Sequence, residues 1–456
     1  MPSSLVGKAR RGAAALQSRF WLLGINERLV RGGREARVAR AKRARRFVEP
    51  SLRARLRGSG RGFHILFDRM LGLLVESWAP STRRRITEAI LEVQHDPSGF
   101  SHVTSDLGRL VAGAPPDSTI PESWLMLRYA FAYHGFLEVA WRCRQQAYLS
   151  VSAEAARSTH LRAVAIAAFL AADQGRWKDA TALRDLLWRL EQGPHHAAEL
   201  PLILAMFLGE QGTVDELAQS RAGHDHQLMQ RIIGGSSVAV VGPAPTMATQ
   251  GEEIDAFDVV ARPSYLGRQS LPGPETSGSR TDVSYYRRPD ASFDSFRGPD
   301  GRVILPRSLR IAVVESGAEH EFTGVPIRRG FAPSSLGIFG TKASKYQKMQ
   351  FALYDLLHFS PAKVKLFNTT LYVSDVPYHE NFPGPRSIAR SRISACAGFA
   401  RHDPVGQFNF TRHLVSGMGI AVDAALRRVL DLSPEEFVRE LDTIYGCGTW
   451  HLSRTA

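Results

Sequence analysis

Cysteine is nearly absent: 456 residues contain three, Cys143, Cys396 and Cys447, with no CxxC or CxxH spacing among them. That scarcity excludes a disulfide framework and leaves no zinc-binding pattern, so no metal site is expected. A reducing, cytoplasmic compartment is the simplest expectation. Long apolar runs are missing too. The most apolar early stretch, FHILFDRMLGLLVESW (residues 63–78), is interrupted by His64, Asp68, Arg69 and Glu76, well short of the roughly 20 apolar residues a membrane span needs. The first residues are basic with no continuous apolar segment behind them, so no secretory signal is expected.

Acidic residues are scarce in one place. Residues 1–60 hold 16 of the 58 Lys and Arg but only three of the 44 acidic residues, so nearly all of the net charge of +14 resides there. The remainder is close to neutral, which disfavours nucleic acid as a partner, because such binding needs positive charge on a folded face. The segment REARVARAKRARRF (residues 34–47) reads as part of a basic, partly disordered arm. Its partner is either solvent or an anionic membrane surface, where each Lys or Arg contributes roughly 1 kcal/mol; the latter makes the protein peripheral at the inner membrane face.

With 44% hydrophobic residues, a chain of this length is expected to form two folded units behind that arm. The boundaries expected are 1–60 for the arm, 61–230 for an α-helical domain and 231–456 for an α/β domain. In the helical part, WLMLRYAFAYHGFLEVAWRCRQQAYL (residues 124–149) and WKDATALRDLLWRLEQ (residues 177–192) repeat apolar residues at three- and four-residue steps, turning one stripe toward a core. Gly135, Gly175 and Gly212 each precede a new helical run by a few residues. This loosely resembles tetratricopeptide-like spacing, and a helical packing layer is expected, with a peptide-binding scaffold as the alternative.

After RIIGGSS (residues 231–237) the period changes. VAVVG, DVVAR, DVSYY, RIAVVES and VKLFN are expected strands, and KYQKMQFALYDLLHF (residues 345–359) is the clearest helix between them. Strands separated by crossovers imply a Rossmann-like, mostly parallel sheet flanked by helices, whose ligands sit at the carboxyl ends of the strands. The turn after Val241 is GPAP. It lacks the GxGxxG of a dinucleotide site, which ranks an oxidoreductase third among the readings.

Four segments in order resemble the motifs of the sialyltransferases. GEEIDAFDVVAR followed by GSRTDVSYY is similar to the large motif of the eukaryotic-type family, PSSLGI (residues 333–338) to the small motif, and HDPVGQFNFTRHLVSGMGI (residues 402–420) to the very small motif. YVSDVPY spaces Tyr372 and Tyr378 like the tyrosine pair of the bacterial enzymes. The resemblance covers about residues 236–445. It implies an inverting, metal-independent glycosyltransferase without a cofactor, moving sialic acid or a related acidic sugar from a CMP-activated donor to a glycan acceptor. His402 is then the base, and Tyr372 and Tyr378 donate to the departing phosphate. Gly242, Ser334, Ser335 and Gly337 are the expected donor-binding positions, with Arg262 and Arg287 able to meet the phosphates.

The chain departs from the family at Pro243 and Pro263, where asparagine is expected, at Arg287, a position that can also carry asparagine, and at Gln407, where glutamate is usual. A proline has no amide to offer a donor. The alternative is therefore a non-catalytic helical scaffold with a degenerate sugar-nucleotide domain. Asp255 and Asp258 are expected to hold a turn, and His379 stands behind His402 as the next candidate base, ahead of His413.

Overall fold

The computed structural model describes residues 33–57, 59–75, 78–115, 119–155, 161–191, 199–219, 226–331, 346–383 and 392–454. The stretch expected to be a partly disordered arm is, from Gly33 to Leu56, a helix, α1. Val38, Ala41, Ala44, Val48 and Leu52 recur at helical spacing among the arginines and are buried, forming a narrow apolar stripe that packs on α2 (Gly60–Leu74). Arg43 and Arg46 are exposed on the other side, and Arg37 is exposed near the start of the helix. Arg55 is buried, stacked near the rings of Phe136 and Trp450 at 5.6 and 5.4 Å and donating to the His134 carbonyl at 3.0 Å.

Helices α3 (Pro80–His95) and α4 (Phe100–Ala112) lead into three helical hairpins. These are α5 (Pro121–Tyr133) with α6 (Leu137–Ala155), α7 (Leu161–Asp173) with α8 (Trp177–Glu191), and α9 (Glu199–Leu208) with α10 (Gln211–Gln219). Each hairpin closes with the same turn. Gly135, Gly175 and Gly209 take φ of +79°, +70° and +74°, and the next residue donates back five positions: Phe136 to Phe131, Arg176 to Ala171 and Glu210 to Ala205, at 3.0, 2.8 and 2.9 Å. That is the six-to-one bond of a Schellman ending, for which a left-handed glycine is the favoured residue. The third turn glycine is thus Gly209, not Gly212, which lies inside α10. Helix α5 buries all its residues from Pro121 to Tyr133 rather than one stripe, as befits a helix surrounded on every side.

Helix α11 (Gln227–Ile233) then hands over to a seven-stranded sheet. Its strands are β1 (Ser237–Val241), β2 (Val259–Pro263), β3 (Val283–Tyr286), β4 (Ile311–Val314), β5 (Ile327–Arg329), β6 (Lys363–Phe367) and β7 (Ala421–Val422). Every pairing is parallel and the order is β5-β4-β3-β2-β1-β6-β7. The five expected strands are present, and the central ones are buried valine-rich runs, as sheets covered on both faces require. The fold is Rossmann-like α/β. The chain moves outward from β1 to β5, then crosses to the far side of β1 for β6, so the switch in direction opens a crevice between β1 and β6 at their carboxyl ends.

Short helices α12 (Gly251–Asp255) and α13 (Pro274–Ser277) flank that edge, and α14 (Lys348–Leu357) packs across β1, β2 and β3. The chain closes with α15 (Arg392–His402), α16 (Pro404–Gly417), α17 (Ala424–Leu430) and α18 (Pro434–Tyr445). Of these, α15 packs on α5, α16 on α9 and α18 on α6, and one hydrophobic core runs from the hairpins into the sheet. No described helix is long and apolar enough to cross a membrane.

Candidate functional site

A cavity of about 230 Å³ opens at the switch point of the sheet. The carboxyl ends of β1, β2, β3 and β6 and the loops behind them supply Pro243, Pro263, Arg287 and Thr369 to its wall, the start of α14 supplies Gln347 and Lys348, and the end of α15 supplies His402. Tyr372 and Tyr378 complete it. Six elements remote in sequence thus converge where such sheets bind ligands.

The tyrosine pair is shaped by an unusual loop. Asn368, Leu371 and Tyr372 all take positive φ, at +51°, +48° and +72°, a conformation that costs non-glycine residues of order 1–3 kcal/mol each and clusters at functional sites. The loop is held by the Asn368 N–H on Asp423 at 2.7 Å and the Val373 N–H on the Thr370 carbonyl at 2.9 Å. The Tyr372 ring meets Phe399 edge-on, Tyr378 stacks on Phe382, and the two hydroxyls are 2.8 Å apart. Burial pushes both phenol pKa values up, so both remain protonated hydrogen-bond donors at neutral pH.

Three cations, Arg287, Arg288 and Lys348, line the same space together with the Asp290 carboxylate. Arg287 has no hydrogen bond or ion pair among the described residues, and burial lowers its pKa. Lys348 donates to the Ser264 hydroxyl and lies near the rings of Phe293 and Phe382. Burial, then the neighbouring Arg287, bring its pKa down to about 8. Lys348 escaped the sequence reading. One signal marked it: a lysine opening a helix stands at the positive end of the helix dipole, where cations are disfavoured. An anion in the cavity reverses that balance, since helix N-terminus and ammonium then act together.

His402 is half-buried. Its carbonyl accepts from Gln407 Nε2 at 3.0 Å, while Gln407 Oε1 accepts from the Gln347 N–H at 3.2 Å. Gln407 therefore links the histidine corner to the entry of α14, using a donor and an acceptor at once. An ionised glutamate has no donor for the first bond, which accounts for the amide at this position.

Other expected residues lie elsewhere. Gly242 does not line the cavity; its N–H bonds the Phe367 carbonyl at 2.8 Å, and a Cβ there would collide with the Asn368 carbonyl. The glycine serves the close approach of β1 and β6. Arg262 is buried beside the cavity and spends its guanidinium on the carbonyls of Ser277 and Arg280, so it braces the connection between β2 and β3, and burial lowers its pKa to about 10. Ser334, Ser335 and Gly337 fall outside the described residues.

Asp255 accepts from the Ser279 and Arg280 N–H groups, and Asp258 accepts from Ser237, so these carboxylates hold loops. His379 does not line the cavity; burial, then nearby Arg262, lower its pKa to about 4. His413 is buried against the Asp173 carbonyl at 2.9 Å. Among the described residues, no group of three His, Cys, Asp or Glu side chains is gathered to hold a metal ion.

A larger open cleft of about 710 Å³ adjoins the cavity and shares Asp290 and Phe382 with it. Several of its polar groups are engaged within the protein: Asp290 accepts from Ser292, Gln269 donates to Leu266 and Asn381 donates to Leu271. The smaller cavity is the one where two tyrosine hydroxyls, three cations against one carboxylate, and His402 converge, an arrangement suited to binding an oxyanion beside a group that takes a proton. The chain matches no family model and no curated protein.

Proposed function

We propose that this cavity is the transfer site of a sialyltransferase-like glycosyltransferase. The observation that carries the reading is the 2.8 Å hydroxyl pair of Tyr372 and Tyr378 in one cavity with Arg287 and His402. The donor is a CMP-activated acidic sugar and the acceptor a glycan hydroxyl. That hydroxyl oxygen attacks the anomeric carbon while its proton passes to the His402 imidazole. The bond from the anomeric carbon to the phosphate oxygen breaks on the opposite face, and CMP leaves with the electron pair. The charge developing on the phosphate is met by the tyrosine hydroxyls and Arg287 as preorganised donors. Lys348, at the start of α14, faces the second negative charge, the carboxylate of the sugar. The exposed arginines of α1 suit an anionic membrane surface at the cytoplasmic face, near a surface glycan.

Titration calorimetry with CMP tests this reading. Binding that is lost on Arg287→Met supports it, and no binding by the unaltered protein removes it. A second reading, a helical scaffold whose cavity holds a nucleotide without turnover, is favoured by one observation: Pro243 and Pro263 stand on the cavity wall where the family carries asparagine amides. CMP binding without any sugar transfer would select it.

A further inference from the structure

The corner that carries His402 is gripped by charges from the helical hairpins. Arg128, on α5, donates to the Ala400 carbonyl at 3.0 Å and reaches the Asp403 carboxylate at 3.5 Å. Arg144, on α6, binds the other Asp403 oxygen at 3.1 Å and also pairs with Asp173 at the end of α7. Asp173 accepts in addition from Asn409 Nδ2 at 3.1 Å. The four charged side chains are at most 9% exposed. Such a network is a poor device for stability alone, since apolar residues of similar volume often serve as well or better. What it does provide is a fixed geometry.

That geometry centres on one bend. Asp403 takes a left-handed backbone with φ +44°, uncommon outside glycine, and turns the chain from α15 into α16 directly after His402. The contacts bracket the histidine: Arg128 holds the chain two residues before it and, with Arg144, one residue after it, while Gln407 holds its carbonyl. We infer that Arg128 and Arg144 are positioning residues for the His402 imidazole, which makes the helical hairpins a working part of the site rather than an accessory scaffold. The inference rests on His402 as the base, yet its test does not depend on turnover.

The full-length protein is labelled with 13C at the histidine ring, and the His402 resonance is identified by its loss in His402→Ala. Arg128→Met leaves Asp403 paired with Arg144. It is expected to move the His402 resonance by more than its linewidth and to lower kcat by about tenfold to a hundredfold, as small misplacements do, with CMP affinity unchanged. Asp442→Asn is the control. Asp442 accepts from the Leu137 and Glu138 N–H groups, each at 2.9 Å, at another seam between the hairpins and the C-terminal helices, and its variant should leave the resonance in place.

A lowered melting temperature with an unmoved His402 resonance in Arg128→Met overturns the inference. Equal movement in both variants overturns it too. Should Arg128→Met fail to fold, the isosteric Asp403→Asn carries the same two outcomes. A parent protein that neither binds CMP nor transfers sugar defeats the proposed function, while the resonance still decides whether the hairpins position His402.

Discussion

The hydroxyls of Tyr372 and Tyr378 lie 2.8 Å apart, each the other's hydrogen-bond partner across the cavity wall. One proton lies between them and the other is free to turn outward. Under the proposed function, an entering phosphate draws both protons once the bond between the hydroxyls opens. Replacing either with phenylalanine removes one donor to a charged group, a loss of about 1.5–3 kcal/mol. Tyr372→Phe and Tyr378→Phe are each expected to slow transfer about tenfold to a hundredfold, measured as kcat with saturating acceptor. Unchanged turnover in both variants would remove the pair from the chemistry.

Lys348 makes binding depend on pH. Its folded pKa is about 8, below the ordinary lysine value of about 10.4. The unfolded chain therefore binds more protons between these values, and stability rises with pH across that window. Anion binding has the opposite sign, because the ammonium is needed: affinity for the CMP-sugar, whose carboxylate Lys348 meets, should be highest below pH 8 and fall above it. Calorimetry over that range checks this, and Lys348→Met should flatten the profile.

Gly242 is a packing position. Because a side chain there meets the Asn368 carbonyl, Gly242→Val should lower stability by about 1–3 kcal/mol, as overpacked sites do, rather than block a ligand in an otherwise intact protein. Thermal unfolding distinguishes the two; a variant with the parent's melting temperature but no CMP binding would return Gly242 to the cavity wall.

Truncation after residue 60 removes α1 and with it the buried Val48 and Leu52, each worth about 1.5–3 kcal/mol when fully buried. Loss of cooperative unfolding is expected by circular dichroism. The membrane reading is better tested by Arg37→Glu, Arg43→Glu and Arg46→Glu together, which alter exposed positions only. Their combined effect should be weaker sedimentation with anionic vesicles, a difference that shrinks as salt shortens the roughly 10 Å screening length at 0.1 M.

The parts of the fold legible in the sequence were those with a local signature. Val238–Val241 and Ile311–Val314 are unbroken apolar runs rich in β-branched residues, and the loop holding Tyr372 and Tyr378 and the helix end at His402 carry recognisable spacing. Helix α1 is hidden because its stripe, Val38, Ala41, Ala44, Val48 and Leu52, is narrow and set among arginines, a weak apolar signal. Strands β5 and β7 are three and two residues long, too short to show a period. The burial of Arg262 and the convergence of Lys348 on Arg287 are tertiary facts, set by which loops the sheet order brings together.

The most direct test of the account is transfer from CMP-sialic acid by the parent protein and by His402→Ala, with CMP affinity measured on both. The account predicts equal affinity and a rate about a hundredfold to ten-thousandfold lower in the variant, the contribution of a positioned base. Transfer at the parent's rate by His402→Ala would contradict it.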